Sequence, residues 1–436
     1  MQTQFSARQL EDAGTAACEA AIRKCVHCGF CLATCPTYLL LGDELDSPRG
    51  RIYLMKDMLE NDQVPTATAV KHIDRCLSCL SCMSTCPSDV HYMHLVDHTR
   101  AYIERRFQRP LGERLMRWLL AVVLPHPQRL RRALSISRLV RGVTPLFGKV
   151  QALKPLTAML RLTPQRSAAR AVAISSRGRG VRRGRVAVVQ GCVEPVLRPE
   201  IRAATVRMLN RSGFDVTFAA GEGCCGALVH HLGKEHDALS AARANVDAWT
   251  QELERQGLDA IVLTAAGCGT MVKDYGFLLR ADAAYAARAA RMASLARDVT
   301  EVLAEAALSG NGRGLTVAYH SACSLQHGQK VADLPQRLLA AAGYEVRTPR
   351  EAHLCCGSAG TYNVLQSRLA TQLGERKAAN LELTHADVIA TGNIGCLLQI
   401  AQRTALPVVH TIELLDWATG GPTPPSLLHL DAAGGS

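Results

Sequence analysis

Aromatic residues are scarce, 4% of 436, and no apolar run approaches the roughly 18 residues that a membrane-spanning helix needs. A soluble or peripheral protein is expected. Also missing are a Gly-rich dinucleotide fingerprint after a strand, a P-loop and a serine, histidine and aspartate arrangement, so no flavin or nicotinamide site is expected on this chain. The opening residues Met1 to Phe5 carry neither the basic nor the apolar region of a secretory leader, which points to a cytoplasmic protein with reduced thiols. Acidic residues nearly vanish from one stretch: between Arg100 and Arg185, 21 Lys and Arg face only Glu104 and Glu113. The formal charge of +12 is therefore local, and the rest of the chain is mildly acidic.

Cysteine is plentiful by contrast. Seventeen in 436 residues falls short of the roughly 8–10% of a disulfide-stapled scaffold, and the cysteines come in clusters. Eight lie between Cys25 and Cys86 and eight between Cys192 and Cys396, with Cys18 alone as a bystander. Cys25, Cys28, Cys31 and Cys35-Pro36 fit C-x2-C-x2-C-x3-C-P, and Cys76, Cys79, Cys82 and Cys86-Pro87 repeat it. In this pattern three close thiolates grip one 4Fe-4S cluster and the fourth cysteine crosses to the other. The expected sets are Cys25, Cys28, Cys31 and Cys86 for cluster I, and Cys76, Cys79, Cys82 and Cys35 for cluster II. Zinc also accepts four thiolates, but its ligands usually come as separated C-x2–4-C pairs. Between the runs, Ser47 reads as an N-cap and Pro48 as the first residue of a helix through Ile52, Met55 and Leu59, which makes the module helical. His27 reads as a hydrogen-bonding neighbour of a cluster. His91 and His94 read as ligands, a proton relay or a solvated helix face.

The second cysteine group is an internal repeat. Cys192, Cys224 and Cys225 recur as Cys323, Cys355 and Cys356, and Cys268 recurs as Cys396. Their context recurs too: Gly226 is answered by Gly357, and Gly213-Phe214-Asp215-Val216 by Gly343-Tyr344-Glu345-Val346. Each unit reads strand (186–189; 317–319), helix, strand (214–218), a Cys-Cys-Gly turn, a helix (234–256), then strand and Gly-Cys turn. That alternation implies a parallel sheet with the cysteines on its loops. Four thiols per unit suffice for a tetrahedral metal or one cluster, the alternative being small core residues.

The fold class expected is therefore multidomain, α and α/β. An α-helical ferredoxin domain spans 1–100, a basic helical segment and linker 101–184, the Cys-Cys-Gly repeats 185–310 and 314–420, and a flexible tail 421–436. In the basic segment Pro110, Pro125, Pro127, Pro145, Pro155 and Pro164 interrupt any long helix, and 175–180 reads as linker. Leu111, Leu115, Trp118, Leu119 and Val122 share one helical face, with Arg114 and Arg117 able to reach anionic headgroups. A docking helix would show the same periodicity. Only Phe107, Trp118 and Phe147 could stack on bases, so no nucleic-acid partner is expected.

The two cysteine runs, the Ser47-Pro48-Arg49-Gly50-Arg51 link and the paired Cys-Cys-Gly repeats together resemble the iron-sulfur subunit of bacterial glycolate oxidase (glycolate dehydrogenase) over nearly the whole chain. The resemblance implies an electron-transfer subunit with two 4Fe-4S clusters and no catalytic residue of its own. It implies an FAD-carrying partner that oxidises glycolate to glyoxylate, a second flavin-domain subunit, and a quinone or other acceptor at the cytoplasmic face of the membrane. Iron-sulfur subunits of anaerobic glycerol-3-phosphate and lactate dehydrogenases share the layout. Heterodisulfide reductase subunits carry similar repeats that end in C-x2-C. Here Met271 and Gln399 stand in place of that fifth cysteine, which argues against heterodisulfide chemistry and leaves a cluster, zinc or no metal open for the repeat cysteines.

Overall fold

A computed structural model describes residues 1–140, 176–306 and 308–429. Pro145, Phe147, Pro155, Pro164 and the start of the expected linker lie outside them. The first hundred residues are helical, with short helices around each cysteine run. Helix α1 (Ala13–Lys24) leads into the first run, α2 (Pro36–Leu41) leaves it with Pro36 at its first position, and α3 (Pro48–Glu60) follows. The expected cap is present: the Ser47 side chain accepts from the Gly50 N–H at 3.0 Å. Helix α4 (Ala67–Asp74) enters the second run and α5 (Ser81–Thr85) lies within it. The long α6 (Tyr92–Arg106) closes the module. Ile22, Met55, Ile73, Leu95 and Ile103 are fully buried between these helices.

Two helices of the basic segment come next, α7 (Leu111–Val123) and α8 (Pro127–Val140). The expected linker is tied down where it is described: Ser176 bridges to Val216, and the Gly178 N–H donates to Asp215 at 2.8 Å.

The two repeats build two four-stranded sheets of identical topology. The first has order β2-β1-β3-β4, from β1 (Gly184–Val188), β2 (Phe214–Thr217), β3 (Ala260–Leu263) and β4 (Ala296–Asp298). The second has order β6-β5-β7-β8, from β5 (Thr316–His320), β6 (Glu345–Arg347), β7 (Val388–Thr391) and β8 (Val408–His410). Every pairing is parallel. Strands β1, β3 and β7 are buried at every position, as parallel strands covered on both faces must be.

The two units share one core, in which Val186, Ile201 and Leu209 of the first meet Val317, Leu339 and Trp417 of the second. Helix α9 (Pro199–Arg211) lies against α10 (Thr411–Ala418), where Arg207 and Arg211 reach Asp416. Leu427 is fully buried in this core. The start of the stretch expected as a flexible tail is thus packed, and 430–436 lie outside the described residues.

Candidate metal centres

In an open parallel sheet the loops at the carboxyl ends of the strands gather where the strand order reverses. Here that rule brings each repeat's cysteines together. Cys192 follows β1, Cys224 and Cys225 follow β2, and Cys268 sits in the helix Ala266–Lys273 after β3. The Cys192 and Cys224 sulfurs are 3.5 Å apart, and Cys323 and Cys355 repeat the contact at 3.7 Å. None of the seventeen cysteines is in a disulfide.

The Cys-Cys-Gly turn needs its glycine. Gly226 and Gly357 both have φ +85°, a left-handed backbone that disfavours any side chain. A Cβ on Gly357 would stand 2.8 Å from the Ala370 carbonyl oxygen. The first turn is clamped by polar groups: Asn245 donates to the Cys224 carbonyl at 3.0 Å, Tyr275 to the Cys225 carbonyl at 2.9 Å, and Trp249 to Glu222 at 2.7 Å. Burial lifts the Glu222 carboxyl to about 7.

Crowding among the sulfurs splits their titration. Hydrogen bonds from Cys192 and Cys225 hold the Cys224 thiol low, and the contact with Cys224 followed by burial pushes Cys192 up. In the second unit contacts with Cys355 and Cys396 hold Cys356 low while Cys355 and Cys396 are themselves pushed up. Buried thiols this close ionise together only against a bound cation, so the donor set suits a metal or cluster.

The second repeat contains a donor the sequence reading missed. His320 is 1% exposed, makes no hydrogen bond through either ring nitrogen, and lies with Cys356 and Cys396 so that their donor atoms are within 4.8 Å of one another. Val189 occupies the matching position of the first repeat. That displacement, shared with the cysteines, is the signal that would have found it.

In the helical module the two runs interleave. One small cavity is walled by Cys25, Cys28, Cys31, Cys82 and Cys86. A second is walled by Cys35, Cys76, Cys79 and Cys82. Each fourth cysteine therefore sits with the opposite run. The Ser47 to Arg51 link explains itself here. Gly50 crosses the Glu44 carbonyl so closely that a Cβ would be 2.0 Å from the oxygen. Arg49 pairs with Glu44 and donates to the His27 carbonyl. Arg51, 1% exposed, lies among Cys35, Thr37 and Asp46, its Nη1 3.8 Å from the Cys35 sulfur. Arg75 and His72 complete the surround of Asp46.

The two quartets differ in exposure. Cys28 is exposed, and Val26 and Phe30 beside it are 67% and 62% exposed. Cys79 is buried and packs in one cluster with Leu77, Cys355 and Cys323 of the second repeat. Ser84 also meets His327 Nδ1 at 2.9 Å there.

Three histidine and arginine expectations are corrected. The His27 ring faces Met1 Sδ at 2.9 Å, and it is the residue's backbone N–H that serves Cys25. His94 bonds Asp274 at 2.9 Å and stacks between His91 and Phe277. His94 thus joins the helical module to the first repeat with His91 stacked on it, so the pair is not a solvated face. Arg117 is buried, held by Asp74, Glu104 and Glu113 and donating to the Leu232 carbonyl, so it cannot reach a headgroup. Leu111, Leu115, Trp118 and Arg114 do face solvent. Cys18 is buried in the helical core, which pushes its thiol up.

Residues 21–90 match the 4Fe-4S dicluster domain family, and 186–273 and 317–401 match the cysteine-rich CCG domain family. Interleaved quartets and paired Cys-Cys-Gly sheets thus define a two-cluster 4Fe-4S protein joined to tandem CCG domains. The chain is 40% identical to the glycolate oxidase iron-sulfur subunit of Escherichia coli (strain K12), covering 96% of this chain and 99% of that one. It is 31% identical to the probable glycolate oxidase iron-sulfur subunit of Bacillus subtilis (strain 168), over 93% and 96%. Lactate utilization protein A of Bacillus licheniformis is 29% identical over 52% of this chain and 96% of its own. A hypothetical protein of Helicobacter pylori shares the fold at TM-score 0.50 with 10% identity, covering 96% of this chain and 75% of that one. The chain belongs to the family of glycolate oxidase iron-sulfur subunits. It is an electron-transfer component of an oxidoreductase assembly, and no described helix is long and apolar enough to cross a membrane.

Proposed function

We propose that this chain carries electrons from a flavin-bearing subunit, which oxidises glycolate to glyoxylate, toward a quinone or other acceptor at the cytoplasmic membrane face. A second flavin-domain subunit completes the assembly. The 4Fe-4S clusters supply one-electron transfer when bound. Cys25, Cys28, Cys31 and Cys86 hold one, and Cys76, Cys79, Cys82 and Cys35 the other. The repeat quartets, Cys192, Cys224, Cys225, Cys268 and Cys323, Cys355, Cys356, Cys396, hold a further cluster or zinc. Residues 1–100, 185–310 and 314–420 act as the three units, joined by 101–184.

The observation that carries this reading is the continuity of the sulfur sites. Exposed Cys28 marks the end open to a donor, and buried Cys79 lies against Cys323 and Cys355. Arg51 places a fixed positive charge beside Cys35 and so favours the reduced, more negative state there. Arg114, Leu115 and Trp118 on the outer face of α7 suit an anionic lipid surface.

The test is anaerobic purification of the assembly, followed by metal analysis and EPR. Glycolate should reduce the iron-sulfur signals where glycerol 3-phosphate and lactate do not. About eight irons confine the clusters to the helical module, and about twelve to sixteen bring in the repeats. Absence of iron, or signals that glycolate leaves oxidised, overturns the reading.

A further inference from the structure

We propose that the apolar chamber between the two Cys-Cys-Gly quartets is the binding site of a neutral, lipophilic quinone. The inference rests on the electron-transfer reading, to which it adds the place and chemical class of the acceptor. The chamber holds about 250 Å3, just under the roughly 300–1,000 Å3 usual for small-molecule sites. Metal held by the two quartets takes part of that space, which leaves the apolar side for a ring-sized head group and too little for a nucleotide-bearing cofactor. Its wall includes Cys192, Cys225 and Cys268 of the first quartet and all four cysteines of the second. A molecule seated there touches both centres at once.

The remaining wall decides the class of ligand. Leu120 and Leu124 at the end of α7 and Leu130 and Leu134 of α8 close one side, and Leu228 and Val364 face them from the repeats. Among the described residues none of the lining side chains is a lysine or arginine. An anionic thiolate or carboxylate would be stranded in such a wall. An uncharged quinone would not, and Ser358, Asn363 and His231 offer polar atoms for its carbonyl oxygens.

His231 is oriented by Asp97, 3.3 Å from its Nδ1. Together with Ser78 it also lines a second cavity of about 430 Å3, whose wall carries Lys71, Arg75, Arg100 and Arg117. This polar cavity gives water a way to the edge of the chamber. Reduction of the quinone to its quinol takes two electrons, delivered singly from the iron-sulfur centres that the flavin partner reduces, and two protons drawn from that water. The cover of the chamber is also the helix pair whose outer side shows Leu111, Leu115, Trp118 and Ile136 to solvent. A lipid-dissolved ligand therefore has its source on the same side.

The experiment measures equilibrium binding of a decyl-substituted benzoquinone to the anaerobically purified complex. The native chain should bind it. Leu228→Trp, which fills the chamber, should weaken binding about tenfold or more, whereas Leu228→Met should stay within about twofold, with iron content equal in all three. Absence of binding, or equal affinity in the tryptophan variant, overturns the proposal. Should the tryptophan variant fail to fold, an azido-quinone applied to the native complex decides instead. Label in 120–134 or 358–364 supports the chamber, and label confined elsewhere rejects it. Glycolate-driven reduction of a water-soluble dye by the native complex is run in parallel. Failure of that reaction with quinone binding intact refutes the electron-transfer reading and leaves the site standing.

Discussion

Arg51 shows how much one side chain of the helical module is asked to do. It is buried with Asp46, donates to the His72 carbonyl and Thr37, and sets its guanidinium beside Cys35. Removing one member of a buried ion pair costs about 3–5 kcal/mol because its partner is left uncompensated. Arg51→Met should therefore lower stability by that order in denaturant unfolding. The surviving protein should show a lower reduction potential for the adjacent cluster by potentiometric EPR, because a fixed positive charge has gone. Cys35→Ser tests the neighbouring assignment. The signal of the cluster shared with Cys76, Cys79 and Cys82 should be lost and that of the Cys25 cluster kept. Loss of the Cys25 cluster would mean that the runs do not cross. The role of Arg51 was hidden in the sequence, since an arginine at a helix start reads as solvated until Asp46 and Cys35 are folded around it.

At the scale of elements, α7 answers a question the periodicity left open. Its apolar residues lie on two sides, one packed against the repeats and one exposed. Leu120, Met116 and Leu124 pack inward with Leu232 and Val364, while Leu115 and Trp118 are 63% and 54% exposed. A helical wheel cannot choose between two apolar stripes, because the choice lies in what packs against them. Leu115→Asp with Trp118→Asp should reduce cosedimentation with anionic vesicles while leaving the iron content unchanged. Arg117→Glu should behave differently. It puts an acid among Asp74, Glu104 and Glu113, and is expected to destabilise by about 3–5 kcal/mol with no specific effect on vesicles, as melting and cosedimentation together would show. The strands and helices of the repeats were legible because hydrophobic pattern and turn residues are local. Short β4 and β8 and the π-helical turn Ser324–Gly328 were not, since three to five residues carry too little period to recognise.

Across the whole molecule, the two repeats are joined through His410. Its Nε2 donates to the Thr264 carbonyl of the other repeat at 2.9 Å, and its Nδ1 accepts from the Ile412 N–H. The Nδ1 acceptor bond requires the neutral ring, and burial lowers its pKa from 6.5 to about 4. The folded protein thus binds fewer protons than the unfolded chain between those values. The contribution of His410 is complete above about pH 6.5 and is lost as pH falls toward about 4, amounting to about 3 kcal/mol at most. His410→Asn keeps a capping oxygen and removes the titration. Its stability relative to the native protein should rise as pH is lowered from about 7.5 to 5 in denaturant unfolding, with the clusters common to both proteins. A constant difference would exclude the histidine as the source.

What the sequence determined by itself was the chemistry of single segments: two cysteine runs of one spacing, a duplicated strand-and-helix unit with its Cys-Cys-Gly turn, and the helix opened by Ser47 and Pro48. These follow from spacing within one loop or element, where backbone geometry alone sets what can meet. Only the tertiary structure brought Cys79 beside Cys323, placed His320 with Cys356 and Cys396, buried Arg117, and formed a chamber between two quartets whose matching cysteines are 128 or 131 residues apart in the chain. Those contacts depend on how helices and sheets pack their apolar faces, and packing is a property of surfaces that the order of residues along a chain does not display.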